Sequence, residues 1–171
     1  MKAIIITLVF FSWSNWVSAE EKTVAYKYMY LVDRDFSKAV RDYRQKNYKE
    51  AFQRFSELSQ FGLKEAQTML GVMYLKGEYV EKSIERGLLW LGVAKEGGQE
   101  KKAAESFNYV YAQLSVEHKA NIDKKLIEHI QKFGAEAQSV NCKRVSEAGS
   151  NITPIKCIKE QGSRTVMYPI P

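Results

Sequence analysis

Several residue types that ordinarily announce a function are scarce in this sequence. It holds two histidines and two cysteines among 171 residues. His118 and His129 are eleven positions apart, about 16 Å on one helix, too far to share a metal. Both are expected as solvated surface residues, and no metal site is expected. The cysteines are not in C-x-x-C spacing, so dithiol redox chemistry is not indicated. Neither G-x-S-x-G nor S-x-x-K occurs, which removes two common nucleophile arrangements. Carboxylate pairs such as Glu20/Glu21 and Asp33/Asp35 read as charged surface, because glycosidase chemistry needs two carboxylates facing each other across a cleft. No catalytic residue and no cofactor follows from these observations, and the expectation is a protein that is not an enzyme. Charge of one sign is also lacking. Lys and Arg number 26 against 20 Asp and Glu, a formal +6. That bias is too weak and dispersed for nucleic acid.

Long hydrophobic runs are missing too. The longest opens the chain, "MKAIIITLVFFSWSNWVSA". One lysine precedes a short apolar core, polar residues follow, and Val17-Ser18-Ala19 forms a small-residue cleavage site. This is the layout of a secretory signal peptide over 1–19. The apolar core is shorter than the roughly 20 residues needed to span a bilayer. Export into the periplasm is therefore expected, with secretion beyond the cell as the alternative. In an oxidising compartment Cys142 and Cys157 read as a disulfide. Its loop of about 15 residues is worth roughly 3 kcal/mol in the chain-entropy model.

No proline lies between Tyr30 and Gly134, so nothing there forbids continuous helix. The spacing predicts helices over 33–46, 48–61, 63–76, 83–96, 99–114 and 116–133. Ala51, Phe55, Leu58 and Ser59 share one face, as do Ala66, Leu70, Met73 and Tyr74, and again Ile84, Gly87, Leu88, Leu91 and Ala94. Ser115 is placed to cap the last helix, and Gly134 to end it. Glycine nonetheless interrupts this pattern. Gly62, Gly77 and Gly98 fall between helices, where a left-handed turn is easily made. Gly71, Gly87 and Gly92 fall inside them, each costing about 1 kcal/mol against Ala. That cost is tolerable where a missing side chain lets a neighbouring helix approach.

Two parts of the chain also superimpose. Ala51, Phe55, Leu58 and Gly62 stand 36 residues before Gly87, Leu91, Ala94 and Gly98. A two-helix period in the mid-thirties is the mark of an α-solenoid. The stretch "AQTMLGVMYLKGEYVEKSIERGLLWLGVAKEGG" resembles the Sel-like repeat, a tetratricopeptide-related unit. Ala66, Leu70, Gly71, Tyr74, Gly77, Val80, Trp90, Leu91, Ala94 and Gly98 fall on that pattern. Gly87 departs from it, standing where Ala is usual. The resemblance covers residues 33–115, with one strong repeat and two degenerate flanks. It implies an all-α, short right-handed solenoid of stacked hairpins over 20–134, with 116–133 as the terminal cap.

Residues 135–171 break the pattern. Turn formers Gly149, Ser150, Asn151 and Pro154 lie between the cysteines, and short extended runs such as "RTVMY" follow. A disulfide-closed hairpin or irregular flap lying on the last helix is expected. Its cations at 143, 144, 156, 159 and 164 suit an acidic surface, including a membrane headgroup layer. In this repeat class the first helix of each pair lines a concave groove. Tyr43, Gln67, Tyr74 and Trp90 are the candidates for contacting a partner there. Tyr74 and Trp90 equally fit inter-helix packing. The functional expectation is an exported, monomeric scaffold or adaptor binding a protein or peptide of the cell envelope. A cell-wall or β-lactam-directed enzyme and a secreted effector are the alternatives.

Overall fold

A computed structural model describes residues 23–25, 29–144, 155–159 and 165–167. The expected signal peptide, Asn151 and the turn residues between the cysteines lie outside that set. Among the described residues six helices run in order: α1 Met29–Arg44, α2 Tyr48–Gln60, α3 Lys64–Lys76, α4 Ile84–Lys95, α5 Lys101–Ala112 and α6 Val116–Phe133. Four short strands flank them, β1 Thr23–Ala25 before α1, then β2 Val140–Arg144, β3 Ile155–Lys159 and β4 Thr165–Met167.

The helices form where the apolar stripes are. Ala51, Phe55, Leu58 and Ser59 of α2 are fully buried, and Ala66, Leu70, Met73 and Tyr74 of α3 are at most 1% exposed. Burying each large side chain contributes about 1.5–3 kcal/mol. Consecutive helices pack as antiparallel neighbours from α1 to α5, while α6 returns to pack on α4. α4 is thereby surrounded, and it is apolar nearly all round. Trp90 and Val93 face a core shared with Phe55, Leu70, Met73 and Phe133. Leu88, Leu91 and Ala94 face a second core with Ala103, Phe107 and Ile122. Ile84 does not follow its stripe. It is 46% exposed, in the first turn of α4.

The intrahelical glycines mark the closest helix contact. A Cβ on Gly71 would stand 2.9 Å from Leu91 Cγ and 3.0 Å from the carbonyl oxygen of Gly87. One on Gly87 would meet Leu75 at 2.6 Å and the carbonyl oxygen of Gly71 at 3.1 Å. The two glycines face each other across the α3–α4 pair and bring the backbones together.

The tail is more ordered than an irregular flap. β2 and β3 form an antiparallel hairpin in which Cys142 is paired directly with Cys157, and the two are bonded. β4 pairs with β1 in antiparallel register, Thr23 opposite Met167. The β2–β3 hairpin also sits elsewhere than on the last helix. Gly62 and Gly97 follow α2 and α4, both left-handed with φ of 84° and 82°. A Cβ at Gly62 would stand 2.6 Å from Val140 Cγ2, and one at Gly97 would stand 2.7 Å from Cys142 Sγ. Val140 and Cys142 point to the same side of β2, as alternate strand residues do. The strand therefore lies across two successive inter-repeat turns, each stripped to glycine at the point of contact. Gln99 fastens it, accepting from Cys157 N at 2.7 Å and donating to Glu65 at 3.1 Å. Lys159 departs from the expectation of a basic tail surface. It is buried, and its ammonium donates to the Gln138 carbonyl.

Candidate functional site

The two ends of the helix stack are unlike. At one end α2 and α4 finish and the β2–β3 hairpin seals their turns. At the other, α1 and α3 finish and α2 and α4 begin; β4 touches α2, but its partner β1 leads into the start of α1, at the sealed end. The α3–α4 connection at this open end is tightly built. Gly77 ends α3 in the left-handed region, its N–H bonded to Met73 O at 2.9 Å. Ser83 N returns to Tyr74 O at 2.9 Å, and the Ser83 hydroxyl caps α4 by accepting from Arg86 N.

Tyr79 stands in the middle of that loop, at φ 72° and 51% exposed. A bulky side chain in the left-handed region is an outlier that costs about 1–3 kcal/mol and persists only where the surroundings impose it. They do so here: the Tyr79 ring lies 5.5 Å from that of Phe52, which in turn meets Tyr74 edge-on at 5.5 Å. Beside it, the Tyr43 hydroxyl donates to Glu78 at 2.7 Å and accepts from Lys76 at 3.0 Å. Burial, seconded by Glu78, holds the Tyr43 hydroxyl above its usual pKa. The hydrogen bond to Tyr43 raises that of Lys76. Tyr43 therefore pins the loop to α1. Lys46, in the α1–α2 turn of the same end, is also left-handed at φ 64°.

The other sequence candidates go elsewhere. Gln67 is fully buried, its amide donating to Ser59 O at 2.9 Å and Phe133 O at 3.0 Å. Tyr74 and Trp90 are 1% and 3% exposed and belong to the core. Three of the four groove candidates thus present no surface to a partner, and Tyr43 alone stays half-exposed. Cys142 and Cys157 are joined, as expected from their number and spacing.

The histidines divide. His118 is an exposed part of the α6 N-cap, its ring 2.7 Å from the Ser115 hydroxyl. His129 is not a solvated surface residue. It stacks edge-on to Trp90 at 4.6 Å and lies 4.7 Å from Phe133. Burial, with Lys132 adding to it, lowers its pKa to about 4. Among the described residues no group of three or more His, Cys, Asp or Glu is placed to hold a metal ion. Lys76, Glu78 and Tyr79 were not singled out from the sequence as a site. The one signal for them was a polar, tyrosine-bearing loop strung between a helix-ending glycine and a helix-capping serine.

No protein-family model and no curated protein matches this sequence. Among solved structures, the fold is similar to that of a protective antigen present in uropathogenic Escherichia coli strains, whose crystal structure displays an SLR fold. The TM-score is 0.57 at 18% identity, over 70% of this chain and 27% of the antigen. The likeness is one of fold, and it defines the class: a short α-solenoid of stacked helix hairpins in the Sel-like repeat arrangement. This chain spans about a quarter of the antigen's length and adds to its six helices a disulfide-closed tail.

Proposed function

We propose that this protein is an exported, monomeric scaffold of the cell envelope that binds a partner protein or peptide at the open end of its helix stack. The observation that carries the reading is Tyr79, an exposed aromatic ring held in a strained conformation by a loop pinned at both ends. Strain of this kind is characteristic of functional positions, and tyrosine is among the side chains favoured in protein interfaces. Repeat solenoids use their surfaces for binding. The disulfide suits an oxidising compartment, in keeping with the signal-like N-terminus.

The test is site-specific photo-crosslinking in cells expressing the whole chain with its N-terminal segment. A photoreactive residue at position 79 should give one discrete adduct in the periplasmic fraction. The same residue at Tyr109, 74% exposed on α5, should give none. Equal labelling from both positions, or none from 79, would remove the open end as the binding surface.

A further inference from the structure

The side chains around Tyr79 say more about the partner than that it binds. Arg41, Arg44, Lys46, Lys49, Lys76, Lys82 and Arg86 are exposed at the open end, set against Asp42, Glu50, Glu78, Glu81 and Glu85. Seven cations less five carboxylates leave +2 on this face. Glu78 is moreover engaged by Tyr43 and Lys76, Asp42 by Arg54 and Glu85 by Lys125, so Glu50 and Glu81 carry the negative charge offered outward. The cations are not scattered. Lys49 lies one turn before Phe52 on α2 and so flanks the ring that supports Tyr79. Lys82 closes the same loop against Gly77, where an added Cβ would stand 3.2 Å from Lys82 Cβ. Arg86 reaches over the Tyr74 ring at 5.6 Å. Lys46 holds its left-handed turn where glycine would be easier. Two residues at one end thus keep costly backbone conformations, and one projects a ring, the other a cation.

Resting on the scaffold reading above, we infer that the occupant of this face is an acidic protein segment with an apolar side chain at its centre, which stacks on Tyr79 while its carboxylates face Lys46, Lys49 and Lys82. Charge complementarity sets the choice of partner and speeds encounter, and the ring supplies the apolar anchor. A nucleic acid or anionic membrane would find the same cations, but each prefers a broad basic field, and here carboxylates interrupt it.

Fluorescence anisotropy of the folded mature chain decides the matter, with labelled peptide probes of about ten residues (a Glu-rich peptide carrying a central Leu, and its Lys-rich counterpart). The acidic probe should bind and weaken several-fold as salt rises from about 0.05 to 0.5 M, since exposed charges are screened over about 10 Å at 0.1 M. Lys49→Glu with Lys82→Glu should weaken it at least tenfold, while Lys49→Arg with Lys82→Arg should retain it. Tyr79→Gly, which relieves the backbone and removes the ring, should also lose affinity while the protein stays folded. Equal binding of both probes, indifference to charge reversal, or capture by phosphatidylglycerol vesicles in place of the peptide would each overturn the inference. If the position-79 adduct forms undiminished in the charge-reversed variant, the scaffold reading stands and the acidic partner falls. If that adduct never forms, both fail.

Discussion

The side-chain amide of Gln67 donates to the carbonyl of Phe133, 66 residues further along the chain, at 3.0 Å. The same nitrogen donates to Ser59 O at 2.9 Å, which also accepts from Gly62 N at 3.1 Å, so one buried amide bridges the carboxy-terminal carbonyls of α2 and α6. The ends of helices leave such carbonyls without partners of their own. Gln67 is a staple between the second and last helices.

Replacing Gln67 with Leu keeps the volume and removes the donors. The Ser59 carbonyl keeps Gly62 N as a donor at 3.1 Å, while the Phe133 carbonyl loses one, worth about 1–3 kcal/mol. Gln67→Leu should lower the urea midpoint by an amount equivalent to about 1–3 kcal/mol without altering the crosslink from position 79. A variant that melts normally but loses its partner would instead place Gln67 at the interface.

The Gly71–Gly87 contact reverses the usual sign of a glycine-to-alanine change. In an exposed helix Gly→Ala gains about 1 kcal/mol. At Gly71 the new methyl meets the Gly87 carbonyl oxygen at 3.0 Å, and backbone cannot step aside as a side chain can. Overpacking of this kind costs about 1–3 kcal/mol. Gly71→Ala should therefore be net destabilising in thermal unfolding. Gly87→Ala, whose methyl would meet Leu75 at 2.6 Å and the Gly71 carbonyl oxygen at 3.1 Å, should be destabilising as well.

His129 should make the helical domain acid-sensitive. Its imidazole is neutral when folded, with a pKa of about 4, and titrates near 6.5 when unfolded. Between those values the unfolded chain binds the extra proton. Stability from this group is complete above pH 6.5 and declines as pH falls to 4, by up to about 3 kcal/mol. Chemical denaturation at stepped pH should show the decline, and His129→Phe should flatten it. An unchanged slope in His129→Phe would assign the acid response to other groups.

Lys159 acts in the opposite range. Burial lowers its pKa to about 8, below its unfolded value near 10.4. The folded state thus discourages the charge, and the hairpin should become more firmly docked as pH rises from 8 to 10. Hydrogen exchange of the β2–β3 amides, compared at equal intrinsic rates, would follow it. Lys159→Met should hold the docking constant across that range.

The disulfide should matter most to the tail. Cys142→Ser with Cys157→Ser removes a cross-link of 15 residues, with an expected loss of about 3 kcal/mol. Because the pair sits on Gly97, Gly97→Ala should loosen the same hairpin in the oxidised protein, through both its φ of 82° and its approach to Cys142. Limited proteolysis within 145–154 would detect both.

The six helices were legible because helix formation follows local periodicity. Each stripe of apolar residues names its own element, and a 36-residue repeat names the stacking. The close-approach glycines were legible for a similar reason: their cost within a helix demands a neighbour. Destinations were not. Gln67 reads as a polar residue on a first helix, and only the position of the α6 terminus turns it inward. His129 reads as a surface residue on a polar helix. It is half-buried because α6 packs on α4, its ring against Trp90, a geometry set by the whole core. Tyr79 is one of ten tyrosines until loop closure between Tyr74 and Ser83 fixes its backbone. The tail hairpin, likewise, seats on turns a repeat apart that nothing in its own residues specifies. Sequence determined which segments are helices and how they repeat, since those depend on neighbours three or four residues away. Tertiary structure decided which side chains face the interior and which stay exposed, since that depends on contacts many tens of residues apart.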